Sequence, residues 1–170
     1  MGYYANITEC SKKLIRRFDT TDPFRIAEGL GIHVIFCDEL KQLKGMYRVI
    51  KRNRFIFLNS KNSERMNRIV MAHELGHDQL HRDFAKTNGL QEFMLYDMTS
   101  RQEYEANLFA ADLLLKDEVI LNYIYQGFDT VQIANATGTD INPVALKVDC
   151  LNRNGHNFRE QDHDSRFLKN

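Results

Sequence analysis

The sequence predicts a mixed α/β (α+β) domain in which a small antiparallel or mixed sheet packs on one central helix, followed by a helical C-terminal part. Three observations lead to this class. The 170 residues suffice for one domain with a sizeable core. Short runs rich in β-branched and aromatic residues lie at 33–36, 46–50 and 55–58, whereas 63–81 and 100–116 repeat their apolar residues at helical spacing. The first of those helical stretches contains His73-Glu74-Leu75-Gly76-His77, a pattern that makes chemical sense only on a helix.

Taken in order, residues 4–18 form a helix with Ile7, Cys10, Leu14 and Phe18 on one side and Lys12, Lys13, Arg16 and Arg17 largely on the other. Asp22-Pro23 reads as an N-cap and a first-turn proline, opening a short helix that Gly29 and Gly31 close. A strand at 33–36 follows. Strands 46–50 and 55–58 form a hairpin across the polar Lys51-Arg52-Asn53 turn. Ser63 is placed to cap the motif helix, which runs to about residue 81. Residues 82–99 show no clear period and read as loop with short helical pieces. The helix at 100–116 comes next, then helices at 118–125 and 144–151 and a polar tail from 152. There are no repeats and no low-complexity stretch.

Composition narrows the class further. Hydrophobic residues make up 43% and charged residues 27%, as in ordinary soluble domains. The 23 basic and 23 acidic side chains cancel, which argues against direct nucleic-acid binding driven by charge. Cys10, Cys37 and Cys150 fit neither a disulfide framework nor a zinc-knuckle spacing and read as reduced thiols. No apolar run has the length of a signal peptide or a membrane span, so the expected location is cytoplasmic, with no membrane partner.

The motif carries the chemistry. Residues four apart stand one turn apart on a helix, so His73 and His77 can point at one ion. Glu74 is rotated by about 100° and can face a water without becoming a ligand. Met66, Ile69, Val70, His73, His77 and Leu80 share one stripe, which places both imidazoles on the buried face. Gly76 between them leaves room for close approach. A hydrolytic zinc site needs a third protein ligand and an open position.

The third ligand is sought in the helix at 100–116. Glu103 shares a face with Ala106, Asn107, Ala110 and Leu114, where an unpartnered carboxylate would be costly. Glu105 falls opposite, beside Asp112 and Lys116, on the expected solvated face. Glu103 is therefore the assigned ligand, with Asn107 one turn on as a support for another ligand. Two alternatives stay open: Ser100-x-x-Glu103 also fits a capping box, and Glu105 could be the ligand instead.

With these residues in view, the chain resembles the ImmA/IrrE family of zinc metallopeptidases. The resemblance rests on His73-Glu74-Leu75-Gly76-His77 with Leu80-His81, on Glu103-x-x-Ala106-Asn107-x-Phe109-Ala110, and on the upstream Ile26-Ala27-x-x-Leu30-Gly31-Ile32, Gly45-x-Tyr47 and Ile56-x-Leu58-Asn59. It covers roughly residues 14–116. It implies a zincin-like metallopeptidase fold holding one zinc ion through His73, His77 and Glu103, with Glu74 as general base. Two departures are visible: Leu115-Lys116 stands where many members have Met-Pro, and the chain is too short for the C-terminal sensor-like domain of the longer branch. The compact length is similar to the phage and integrative-element anti-repressor branch.

His81, four residues beyond His77, lacks the glycine turn of the extended three-histidine zinc motif. It is expected to close the helix end, with contact to a transition-state oxyanion as the alternative. In the C-terminal third, 128–134 and 142–147 suggest two short helices around a turn, loosely like a helix-turn-helix. Few basic residues decorate them, so packing helices are the preferred reading.

The expected organisation is a metallopeptidase core at 1–116 and a helical extension of the same domain at 117–170. The expected function is zinc-dependent cleavage of a helix-turn-helix repressor. The rival readings are a non-proteolytic anti-repressor, or a DNA- or partner-binding regulator, with a zinc ion that is only structural.

Overall fold

A computed structural model of the protein describes residues 3–83 and 100–159. Among them the chain order is α1 (Tyr3–Phe18), α2 (Pro23–Gly29), β1 (His33–Cys37), β2 (Gly45–Ile50), β3 (Asn53–Asn59), α3 (Glu64–Leu80), α4 (Arg101–Leu114), α5 (Asp117–Tyr125), α6 (Thr130–Thr137) and α7 (Ile141–Arg153). The sheet is mixed, in the order β1-β3-β2. β1 runs parallel to β3, and β2 antiparallel to it.

Local chemistry explains most boundaries. Asp22 caps α2 by accepting the Phe24 N–H, Pro23 fits the first turn, and Gly31 takes the left-handed conformation (φ 70°) beyond the end. The β2–β3 hairpin pairs Ile50 with Asn53, which leaves Lys51 and Arg52 as a two-residue turn. Both have positive φ, 48° and 69°, the mirror-image turn whose twist matches the flanking strands, here without the usual Asn-Gly. Ser63 caps α3 by accepting the Met66 N–H at 3.2 Å.

Helix α3 is the centre of the molecule. It packs against α4, β2, β3 and α2, and every residue from Ile69 to Asp78 is buried. The expected one-sided stripe is part of this, but Met71, Ala72, Leu75 and Asp78 are buried too, because neighbours cover the helix all round.

Helix α4 departs from expectation in a similar way. It ends at Leu114, two residues early, where Leu115 turns extended (φ −121°, ψ 100°). Its far face packs on α1 and α7 instead of meeting water. Asp112, expected to be solvated, is 5% exposed and accepts from Ser11 of α1 and from the buried Lys147 of α7.

The C-terminal helices are longer than expected. α6 starts with a reciprocal capping box between Asp129 and Gln132 and ends at Gly138 (φ 65°), and α7 begins at Ile141, three residues early. The polar tail is partly anchored: the Asn152 side chain brackets the Phe158 backbone by accepting its N–H at 2.7 Å and donating to its carbonyl at 2.9 Å. The loop expected at 82–99 falls, beyond residue 83, outside the described residues. No helix among the described residues is long and apolar enough to cross a membrane.

Candidate metal centre

Helices α3 and α4 touch where Gly76 meets Ala106, and this contact brings three side chains together. His73 Nε2 lies 3.0 Å from His77 Nε2 and 3.1 Å from Glu103 Oε2, while His77 Nε2 lies 3.2 Å from Glu103 Oε1. All three residues are at most 2% exposed. A tetrahedral ion with bonds of about 2.0–2.1 Å has ligand atoms about 3.3 Å apart. The triangle thus has close to the size such an ion needs, and it fits a metal site.

The hydrogen bonding points the same way. His73 Nδ1 is 2.9 Å from Asn107 Oδ1, an acceptor, so this nitrogen carries a proton and Nε2 is left to face the cluster. Both Glu103 oxygens are buried without a hydrogen-bond donor. Two imidazole nitrogens and a carboxylate crowded together away from water require a cation. Without a metal, a proton fills that role. Burial would raise the Glu103 carboxyl, but the His73 and His77 rings outweigh it and hold it at about 2. Burial also works to lower His73, yet Glu103 lifts it above its ordinary value, while for His77 burial prevails and leaves it at about 4.

Glu74 sits beside this cluster and outside it. It is 1% exposed, its Oε2 has no hydrogen-bond partner, and the Tyr47 backbone N–H donates to its carboxylate. Burial lifts its pKa to about 7, with the nearby His73 working against the rise and Glu103 adding to it. β2 approaches closely because Gly45 has no side chain. A Cβ there would stand 2.3 Å from Val70 Cγ1 and 3.3 Å from Glu74 Oε1.

The capping-box alternative for Glu103 is half realised. Ser100 accepts the Glu103 N–H at 3.2 Å, but the Glu103 side chain turns to the histidines. Glu105 stays out of the cluster, yet it is not solvated as expected. Its side chain is 13% exposed and contacts His81 and Arg101, because α3 covers that face of α4. His81 caps α3 through its backbone N–H to His77 O, and its ring lies behind His77, on the side away from Glu103.

Sequence reasoning missed Asp78. This fully buried carboxylate accepts from the Tyr47 hydroxyl at 2.8 Å, Arg54 at 3.1 Å and Arg82 at 2.9 Å, tying β2 and β3 to α3 one turn past Glu74. Burial, then the bond to Asp78, push the Tyr47 phenol well above its ordinary value. The available signal was an acid directly after the motif, together with a tyrosine in the strand expected at 46–50.

A motif helix crossed by a carboxylate-bearing helix, over a small mixed sheet, defines a zincin-like metallopeptidase domain. The chain belongs to the ImmA/IrrE family, as the profile of the IrrE N-terminal-like peptidase domain matches residues 27–145. It is 34% identical over 146 residues to immunity region protein 2 of Bacillus phage phi105, covering 86% of this chain and 91% of the relative. It is also 28% identical over 130 residues to the metallopeptidase ImmA of Bacillus subtilis strain 168, covering 72% of each.

Proposed function

We propose that the protein is a zinc-dependent endopeptidase of the cytoplasm that cuts a helix-turn-helix repressor and so acts as an anti-repressor. The observation that carries the chemistry is Glu74: a buried carboxylate with a free oxygen beside the His73–His77–Glu103 triangle. A zinc held only for structure has no use for such a group, which argues against the non-proteolytic reading. His73, His77 and Glu103 would hold the ion, which when bound supplies a water nucleophile at neutral pH. Glu74 takes a proton from the attacking water and delivers it to the leaving amine. Asn107, accepting from His73 Nδ1, would keep Nε2 of that ring available to the ion. The substrate backbone adds to β2, the edge strand whose Tyr47 N–H already reaches Glu74.

The choice of substrate is supported by relatives named for a phage immunity region and as the metallopeptidase ImmA. Residues 1–116 would form the peptidase core and 117–170 a helical extension of the same domain, docked through Lys147 on Asp112. The test is to incubate the protein with zinc and the repressor encoded beside it, and to look for fragments by mass spectrometry. Fragments from the wild type and none from Glu74→Gln are expected. Intact repressor released from its operator would instead establish sequestration.

A further inference from the structure

The face of His77 that looks away from Glu103 carries its own chain of contacts. His77 Nδ1 lies 3.1 Å from His81 Nδ1, and His81 Nε2 lies 2.7 Å from Glu105 Oε2. Arg101 Nε donates to the other Glu105 oxygen at 2.8 Å. The inner links are shielded from water, with side-chain exposures of 1% for His77, 8% for His81 and 13% for Glu105, while Arg101 is 72% exposed.

With both imidazoles neutral, these contacts have one consistent direction. An ionised carboxylate only accepts, so His81 Nε2 donates to Glu105. A neutral His81 then has only Nδ1 left, as an acceptor. The facing Nδ1 of His77 must therefore carry a proton, which leaves the lone pair on His77 Nε2, the atom beside His73 and Glu103. That is the tautomer a metal ligand needs.

We propose that Glu105, acting through His81, is a positioning residue that fixes the tautomer and ring orientation of His77 for the metal. It does for the second histidine what Asn107 does for the first. The inference rests on the metal-site reading of the Proposed function and on nothing about the substrate. The spacing explains why the relay exists: His77 in the last turn of α3 and His81 at its C-cap stand four residues apart, Arg101 and Glu105 stand one turn apart on α4, and the two helices pack together.

The experiment titrates zinc, against a competing chromophoric chelator, into metal-free wild type, Glu105→Ala, His81→Ala, the double variant and Arg101→Ala. Nitrogen-15 NMR of the metal-free wild type and Glu105→Ala reads the imidazole tautomers. The wild type should show His77 as the Nδ1–H tautomer and His81 as Nε2–H. Glu105→Ala should lose that fixed pattern and bind zinc about 10–100-fold more weakly. The double variant should bind no more weakly than the worse single one, and Arg101→Ala should stay close to wild type. A contact serving only to clamp two helices would lower the melting temperature and leave zinc affinity and tautomers unchanged, and that result overturns the proposal. So does a wild-type His77 found as the Nε2–H tautomer. A wild type that takes up no zinc sinks the metal-site reading and the proposal together. A wild type and a Glu105→Ala that bind zinc equally sink the proposal alone.

Discussion

The backbone of Ala106 occupies the space a side chain on Gly76 would need. A Cβ at position 76 would stand 3.0 Å from Ala106 Cα and 3.1 Å from its carbonyl oxygen. This contact between α3 and α4 sets how far Glu103 stands from His77. In an open helix, glycine to alanine stabilises by about 0.5–1 kcal/mol. Here backbone would have to move, and overpacking of this kind costs about 1–3 kcal/mol. Gly76→Ala should therefore be destabilised on balance, by about 1 kcal/mol, and should bind zinc more weakly. Urea unfolding of the metal-free protein and a zinc titration check both; a stabilised variant would show that the helices separate freely.

Glu74→Gln should keep the fold and the metal and lose turnover. The substitution preserves shape but removes the group that moves the proton, a contribution on the order of 10²–10⁴-fold. Zinc content, circular dichroism and cleavage rate are compared with wild type. Cleavage at the wild-type rate would remove Glu74 from its role as base.

Where the sequence was legible, the reason was local. The span of α3 followed from its cap and period, and the burial of Glu103 from the apolar face it shares. The hairpin followed from the polar Lys51-Arg52-Asn53 run between apolar stretches, although Asn53 proves to be paired within the sheet as the first residue of β3. What failed was the assumption that a helix has one dry face and one wet face. α4 is covered on both, by α3 and by α1 with α7, so Asp112 and Glu105 were placed in water when each has a buried partner. Ser11 lies 101 positions from Asp112, and Lys147 lies 35 positions from it. No period within one helix encodes such partners. The clue was that α4 is apolar almost all round, through Ala106, Leu108, Phe109, Ala110, Ala111 and Leu113.

Lys147→Met tests that buried cluster. Lys147 is 2% exposed and donates to Asp112 and to Asp117. Removing the cation strands the Asp112 carboxylate in the interior, a loss of about 3–5 kcal/mol for a broken buried pair. Burial alone would lower the pKa of Lys147, but Asp112 and Asp117 raise it, so its contribution is present below about 10.5 and lost as pH rises through the higher folded value. Burial would raise the pKa of Asp117, but Lys147 and then Lys12 depress it, so its share is present above about 3.8 and lost as pH falls through the lower folded value. The stability gap between wild type and variant should be flat near neutrality and close at both extremes. A variant as stable as wild type at pH 7 would refute this reading.

Zinc should bind at one ion per chain, and more tightly as pH rises from about 6.5. Although burial alone would lower it, the pKa of His73 lies above 6.5 in the metal-free protein, so the ion must displace a proton there. Calorimetry in buffers of different ionisation enthalpy should register proton release. Saturating zinc at 100 times its dissociation constant should stabilise the fold by about 2.7 kcal/mol, and a chelator should reverse this. Uptake independent of pH would place the ion elsewhere.

The last expectation concerns selectivity. His73, Glu74 and His77 are at most 1% exposed, so a peptide gains little from them before it is seated. Binding energy for a dedicated partner should come from contacts remote from the scissile bond. The apolar surface around α5, α6 and the start of α7 offers such contacts, with Tyr125 at 72%, Phe128 at 37%, Val131 at 50% and Ile141 at 38% exposure. The cognate repressor should be cut at one or a few positions, a short peptide spanning the cut should be a poor substrate, and casein should survive. Val131→Asp should raise KM for the repressor several-fold, leave kcat unchanged, and leave the slow cleavage of the short peptide untouched. Equal losses on repressor and peptide would mean the substitution disturbs the site itself. Broad digestion of casein would mean that the buried centre opens to any extended chain, and the dedicated-partner reading would then fail.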